Sequence, residues 1–274
     1  MKLTVEALEL KSIQYRRKVL AIIKKANAGH TGGSLSAIDI LNVLYNRVLN
    51  VSPQNFMDAN RDRYIQSKGH SVEALYVLLA DQGFYPEAAL DSLNQYQSHF
   101  IGHPTRKVNG IEQNTGSLGH GLPIAVGTAI AGKKDGRSFR VFTLLGDGEL
   151  EEGSNWEASM SASHYGLDNL VAIVDYNQLQ ASGPIKERYD LGNIKAKFEV
   201  YGWKTWEIDG HNMAEIVNAL DQTEQVKGSP CAIIAHTIKG KGVSFAENNY
   251  RFHNNSLSKE QYEQARKDIA SIKV

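Results

Sequence analysis

Apolar residues change their spacing along this 274-residue chain, and the changes predict its elements. Near the start Leu10, Ile13, Leu20 and Ile23 recur at helical intervals among charged residues, which predicts an amphipathic first helix. Ile38, Leu41, Leu44 and Leu49 predict a second, with Ser34 or Ser36 as its cap, because a serine oxygen accepts a hydrogen bond from a free N–H of the first turn. Further on the apolar residues gather into short unbroken runs ending at Leu145, Val174 and Ala235. Such runs, without polar alternation, read as strands buried on both faces. Helical spacing marks the stretches near 118–133, 153–165, 193–201 and 213–226, so strands and helices alternate. That order predicts an α/β fold, a parallel sheet with helices on both faces. No repeat or linker divides the chain, so 1–274 reads as one domain, with 257–274, rich in Lys, Glu and Gln, as a closing surface helix.

Composition narrows the partners. Lys plus Arg and Asp plus Glu both number 30, which leaves no net charge to draw the chain to nucleic acid or a membrane surface and makes a small molecule the expected partner. The first twenty residues contain no apolar core of a secretion signal, and no apolar run approaches the roughly 20 residues that cross a bilayer. The one cysteine, Cys231, opens an apolar run and reads as a buried structural thiol. A reducing, cytoplasmic setting is expected.

In a parallel sheet of this kind the ligand lies beyond the carboxyl ends of the strands, so the turns after Leu145, Val174 and Ala235 are the places to look. The first reads Gly146-Asp147-Gly148-Glu149, where the glycines permit a sharp turn and close backbone approach. Alone, it equally describes a solvated turn before a helix. The next run leads to Asn177, which places an amide oxygen at a neighbouring strand end. Asp147 and Asn177 together offer the oxygen donors that Mg²⁺ prefers. Five of the nine histidines, at 30, 70, 103, 120 and 211, directly follow one of only 24 glycines. A glycine there suits a loop whose backbone lies close to a ligand while an imidazole reaches it. His99 and His164 lie in helical patterns and read as surface or packing residues; His120 and His211 stay open. No Gly-Lys-Ser or Gly-Lys-Thr follows a glycine-rich loop, which excludes a P-loop nucleotide site.

The Gly-Asp-Gly turn followed by Asn177 resembles the diphosphate-binding signature of thiamine-diphosphate enzymes. Ordered blocks narrow the resemblance to transketolase: Gly-His-Thr-Gly-Gly-Ser-Leu-Ser from Gly29, Ser-Lys-Gly-His from Ser67, Gly-His-Pro from Gly102, Thr-Gly-Ser-Leu-Gly-His-Gly from Thr115, Lys-Gly-Lys-Gly-Val-Ser-Phe from Lys239, and Tyr-Arg-Phe-His ending at His253. The resemblance covers about residues 10 to 255. Departures from the family pattern are Thr31 for Pro, Tyr176 for Asn and Asn254 for Gly.

The resemblance implies a thiamine-diphosphate-binding fold, with thiamine diphosphate and Mg²⁺, or Ca²⁺ or Mn²⁺ in its place, as cofactors. It implies a metal held by Asp147, Asn177 and the Leu179 carbonyl. Gly146, Gly148, Gly116, Leu118, Ile238, His70 and His253 would lie around the cofactor; for Leu118 and Ile238 ordinary core packing is the competing reading. His30 and His253 would handle the C3 hydroxyl of a ketose donor, His103 its C1 hydroxyl, and His70 the diphosphate side. Imidazole suits this work because it titrates near neutrality and both gives and takes protons. Glu152 either links paired sites or is an acid favoured in a first helical turn. Lys239 and Lys241 either attract a phosphate or, as lysines between glycines more often do, form a solvated loop.

A full transketolase also needs a pyrimidine-binding domain with an activating glutamate, and a third domain. Neither fits in 274 residues. The expectation is the N-terminal, diphosphate-binding subunit of a split transketolase, which pairs with a C-terminal subunit in an α2β2 assembly and transfers a two-carbon ketol unit. Half of a deoxyxylulose-phosphate synthase or a 2-oxoacid dehydrogenase subunit would share Gly-Asp-Gly and Asn177; Gly-His-Pro at 102 and His253 favour transketolase. A noncatalytic cofactor-binding module would have little need for four histidines beside an intact metal pair. The choice of ketose, phosphate or sulfonate, is not written in this half.

Overall fold

In a computed structural model, which describes residues 2–273, the parallel sheet has five strands where the apolar runs marked three. Helices α1 (Val5–Ala26) and α2 (Thr31–Val43) precede β1 (Arg63–Gln66) and α3 (Val72–Asp81). Then come α4 (Gly121–Lys134), β2 (Val141–Gly146), α5 (Gly153–His164) and β3 (Leu170–Tyr176). A small antiparallel hairpin, β4 (Leu179–Gln180) and β5 (Gly183–Pro184), leads through α6 (Ile185–Arg188) to α7 (Ile194–Val200). The last elements are β6 (Lys204–Asp209), α8 (Met213–Thr223), β7 (Cys231–His236) and α9 (Lys259–Ala270). The order across the sheet is β1-β2-β3-β7-β6, all parallel, so the three apolar runs form its centre and the two unmarked strands its edges.

Alternation along the central strands builds two cores. Phe142, Leu144, Val171, Ile173, Cys231 and Ile233 face α1, α2, α3, α8 and α9. Val141, Leu145, Leu170, Val174, Ala232 and Ile234 face α4, α5 and α7. Each fully buried Val, Leu, Ile or Phe contributes about 1.5–3 kcal/mol through removal from water. Cys231 is buried as expected, and burial pushes its thiol up to about 12. Among the described residues no helix is long and apolar enough to cross a membrane.

The helices correct the sequence reading in three places. Leu10 lies outside the buried stripe of α1 and is exposed. Helix α2 is not amphipathic, because every residue from Thr31 to Val43 is buried between α1, α3 and the sheet. It also starts earlier than expected, with His30 at its cap; Ser34 and Ser36 lie inside it, where their hydroxyls bond to Glu73 and Asp175. The closing helix α9 begins with a Ser258–Gln261 capping box and buries Ala265 and Ile269 against the α1 side.

Candidate active site

The carboxyl ends of β1, β2, β3 and β7 lie side by side, and the turns beyond them carry His70, Asp147, Asn177 and Ile238. After β2, Gly146 ends the strand and Asp147 is buried; its Oδ1 accepts the Gly148 N–H at 2.9 Å and its Oδ2 accepts the N–H of Gln178. The second bond ties the β2 turn to the β3 turn. Beyond β3, Asn177 Oδ1 accepts the Leu179 N–H at 3.1 Å, while Gln178 is held at φ +63°. A left-handed glutamine is unfavourable, and strain of this kind persists where the surroundings enforce it. Asp147, Asn177 and the Leu179 carbonyl are therefore brought together by one pair of turns. Burial, and then the nearby Asp175 carboxylate, raise the Asp147 carboxyl above its usual range, so this site favours a neighbouring cation.

The four histidines also converge, although they come from four distant segments. The His30 ring lies 5.7 Å from His70, 5.6 Å from His103 and 5.9 Å from His253, and His70 stacks on His253 at 4.8 Å. The preceding glycines explain part of this packing. A Cβ on Gly69 would stand 2.9 Å from the Gly116 nitrogen, and one on Gly29 would stand 2.9 Å from Glu73 Oε1. Gly116 is itself required: at φ +146°, any Cβ would press on the His103 ring at 2.9 Å. His253 is fixed because the chain after it pairs with the start of α2, through a parallel bridge between His30 and Asn255. Burial, then the Lys239 charge, lowers His253 to about 3; burial and Lys68 lower His70 as well, and burial lowers His103.

The sequence reading gave several site groups no role or left their role open. Lys68, from the Ser-Lys-Gly-His block, is buried and forms an ion pair with the buried Asp175, which also accepts bonds from Ser36, Thr237 and Asn177. Although burial works to raise it, Lys68, Ser36 and Thr237 hold the Asp175 carboxyl below its usual range. Lys239 does not lie in a solvated loop: it is buried, its Nζ donates to the Leu179 carbonyl at 3.0 Å, and burial followed by Lys68 lowers its ammonium. Glu149 binds the Gly146 and Gly119 N–H groups at 3.0 and 2.9 Å, and Ser67, so it shapes the two glycine turns. Only the motif blocks could have pointed to these residues, since a charge in a sequence otherwise implies solvent.

Leu118 and Ile238 are half-buried and belong to neither apolar core. His211 is structural: its Nδ1 bonds to Asp39, which also receives both Arg16 nitrogens, and its Nε2 accepts the Ile238 N–H at 2.8 Å. That network anchors the loop carrying Ile238 and Lys239. His120, His99 and His164 are exposed. Glu152 is exposed at the start of α5 and makes no capping bond; Lys241 is half-exposed.

A parallel sheet with an oxygen-donor turn pair and a histidine cluster at its carboxyl end defines a cofactor-binding α/β enzyme domain. Comparison with known proteins narrows this class. The family described as "Transketolase, thiamine diphosphate binding domain" matches residues 9–271. The chain is 42% identical over 266 residues to an apulose-4-phosphate transketolase subunit of Phocaeicola vulgatus, covering 97% of this chain and 95% of that one. It is 41% identical over 251 residues to a 6-deoxy-6-sulfo-D-fructose transketolase subunit of a Clostridium species, covering 91% of each. Among solved structures, transketolase from Campylobacter jejuni superposes with a TM-score of 0.92 at 33% identity; the match covers 98% of this chain and 43% of that one. The chain thus spans under half of that transketolase. It belongs to the transketolase thiamine diphosphate binding domain family, and it is a transketolase subunit of the kind its two relatives represent.

Proposed function

We propose that this chain, acting as one diphosphate-binding domain together with a partner subunit, transfers a two-carbon ketol unit from an anionic ketose to an aldose. The observation that carries the reading is the convergence of His30, His70, His103 and His253 beside the Asp147 and Asn177 turns. Thiamine diphosphate, when bound, would supply a nucleophilic thiazolium carbon and a ring able to act as electron sink for cleavage of the bond next to a ketose carbonyl.

The residues present fit that cofactor and its metal. A buried carboxylate raised by burial, an amide oxygen and a carbonyl oxygen form a donor set for a hard cation. Mg²⁺ would be held there by Asp147, Asn177 and the Leu179 carbonyl, with Ca²⁺ or Mn²⁺ able to take the same donors. Gly146 and Gly148 would let the backbone approach the cofactor diphosphate, with His70 and Lys239 on the same side, and Gly116, Leu118 and Ile238 would lie around the rings. His30 and His253 take and return the proton of the donor C3 hydroxyl, and His103 holds the C1 hydroxyl. The burial that lowers His253 keeps its imidazole neutral, with a lone pair available to accept a proton at pH 7.

Both relatives' names denote ketoses ending in an anion, one a phosphate and one a sulfonate, so the donor here is a ketose of that class. The partner would bring the pyrimidine-binding domain and its activating glutamate, in a cytoplasmic assembly of two such chains and two partners. Reconstitution tests the reading. The purified chain with saturating cofactor and Mg²⁺ should show no ketol transfer, and adding the partner should restore it; robust turnover by the single chain would refute the division of labour. In the assembled enzyme Asp147→Ala should abolish Mg²⁺-dependent cofactor binding, and undiminished affinity by calorimetry would sink the metal assignment.

A further inference from the structure

One buried carboxylate beside the histidine cluster has no part in the chemistry above. Glu73, in the first turn of α3, is completely buried. Its Oε1 accepts the backbone N–H of His30 at 3.0 Å, and its Oε2 accepts the Ser34 hydroxyl at 2.9 Å. Both oxygens act as acceptors, the pattern of an ionised carboxylate. Among the described residues no lysine or arginine lies within ion-pair distance of it; the one cationic candidate is His30, whose Nδ1 stands 3.8 Å from Oε1. That same Nδ1 is buried and makes no hydrogen bond. A buried carboxylate without a lysine or arginine counter-charge and a buried imidazole nitrogen without a hydrogen bond thus stand 3.8 Å apart.

The other groups around His30 cannot substitute for Glu73. The rings of His70, His103 and His253 pack against it, and none offers a negative charge. Lys68 and Lys239 act on His70 and His253, whose protonation they oppose, whereas Glu73 favours the protonated form of His103. Gly29 makes the approach possible, since at φ +155° any Cβ there would stand 2.9 Å from the Glu73 oxygen.

Resting on the role given above to His30, we propose that Glu73 is the positioning residue of that histidine. Its carboxylate keeps the proton on Nδ1, leaves the Nε2 lone pair for the donor hydroxyl, and stabilises the imidazolium formed when Nε2 takes that proton. The proton moves from the hydroxyl oxygen to Nε2 and returns from Nε2 to the alkoxide of the product, so no proton is gained or lost over a turnover. A separation of 3.8 Å is too long for a hydrogen bond, and a small ring rotation or one bridging water closes it; such contacts often tighten when substrate binds. A carboxylate behind an imidazole sets its tautomer and orientation without itself taking up the proton.

The test uses the chain assembled with its partner, cofactor and Mg²⁺. In ¹⁵N-histidine spectra of the wild type, the His30 signals, assigned by their loss in His30→Ala, should show the Nδ1-protonated tautomer; the Nε2-protonated tautomer overturns the proposal whether or not any Glu73 variant folds. Glu73→Gln should lower kcat by about 10- to 100-fold, with donor KM changed less than about threefold and cofactor affinity unchanged. On a His30→Ala background it should cost nothing further. Ser34→Ala, which removes a bond to Glu73 but not its charge, should stay within about threefold of wild type. A Glu73→Gln loss that adds in full to that of His30→Ala would make the role merely structural and overturn the proposal. Impaired His30→Ala with unimpaired Glu73→Gln overturns this inference alone, whereas near-normal turnover by His30→Ala overturns the role of His30 itself.

Discussion

The middle of the sheet and its carboxyl-terminal rim follow opposite rules although the same strands run through both. In the middle Phe142, Leu144, Ile173 and Ile233 are apolar and buried, and packing alone satisfies them. One residue beyond Val174, Asp175 is just as buried, and Lys68, Asp147, Asn177, Lys239, Glu73 and Glu149 join it around the rim. Each of these must find a partner or a ligand, because a buried charge left alone is very costly. The contrast teaches that depth of burial means stability in one region and chemistry in the other. Buried ion pairs seldom add net stability, so the rim is best understood as a cost that the apolar middle offsets.

The largest effect that would sharpen this contrast is on rate. Alanine at His30, His103 or His253 should lower turnover of the assembled enzyme by about 10²- to 10⁴-fold, and urea unfolding should show little loss of stability. If all three variants kept near-normal ketol transfer, the histidine cluster would have been given the wrong task. Next comes Lys68→Met, which leaves Asp175 buried without its counter-charge. It should cost about 3–5 kcal/mol in chemical denaturation, and adding Asp175→Asn should recover much of it; full stability in the single variant would mean that the pair is not ionic. In the middle, Ile233→Val should cost only about 0.5–1.5 kcal/mol and leave kcat untouched, so a kinetic defect there would erase the boundary between the two regions.

The last test concerns acid. The folded His253 value of about 3 lies below the unfolded value of roughly 6.5. Between those limits the unfolded chain binds more protons, so the stability tied to the neutral ring is present above pH 6.5 and is lost as pH falls toward 3. Compared at each pH, His253→Asn should therefore gain on the wild type as pH is lowered through that window. Parallel stability curves for the two proteins would show that His253 is not held neutral.

How far the sequence could be read follows the same division. β2, β3 and β7 were legible because they are buried on both faces and nearly continuous in apolar residues. β1 has only four residues and opens on the last of the charged run Arg61-Asp62-Arg63, and β6 alternates charges with Trp206 and Ile208 as a half-buried edge. Neither pattern stands out from a loop. At the rim, strand ends and glycines flagged Asp147 and Asn177, and preceding glycines flagged His30, His70 and His103, whereas His253 was named only through the family resemblance. Lys239 was left between a phosphate site and a solvated loop, and Lys68 and Glu73 were passed over, for a different reason: their burial depends on contacts with Leu179, Asp175 and His30, all far away in sequence.

The bridge between His30 and Asn255 ties together strands of chain 224 positions apart, counted from Thr31, whose hydroxyl bonds to the Asn255 carbonyl at 3.1 Å. Contacts of such range form late, since the entropy of closing the loop must be met before they contribute. On the ribosome, at roughly 5–20 residues per second, the sheet is already complete at His236, while the segment that closes the histidine cluster has yet to emerge. A chain interrupted in that interval would carry every strand and both cofactor turns but no His253. It would also lack Val243, Ala246, Phe252, Leu257, Ala265 and Ile269 of the apolar core, so one late segment completes both the packing and the histidine cluster.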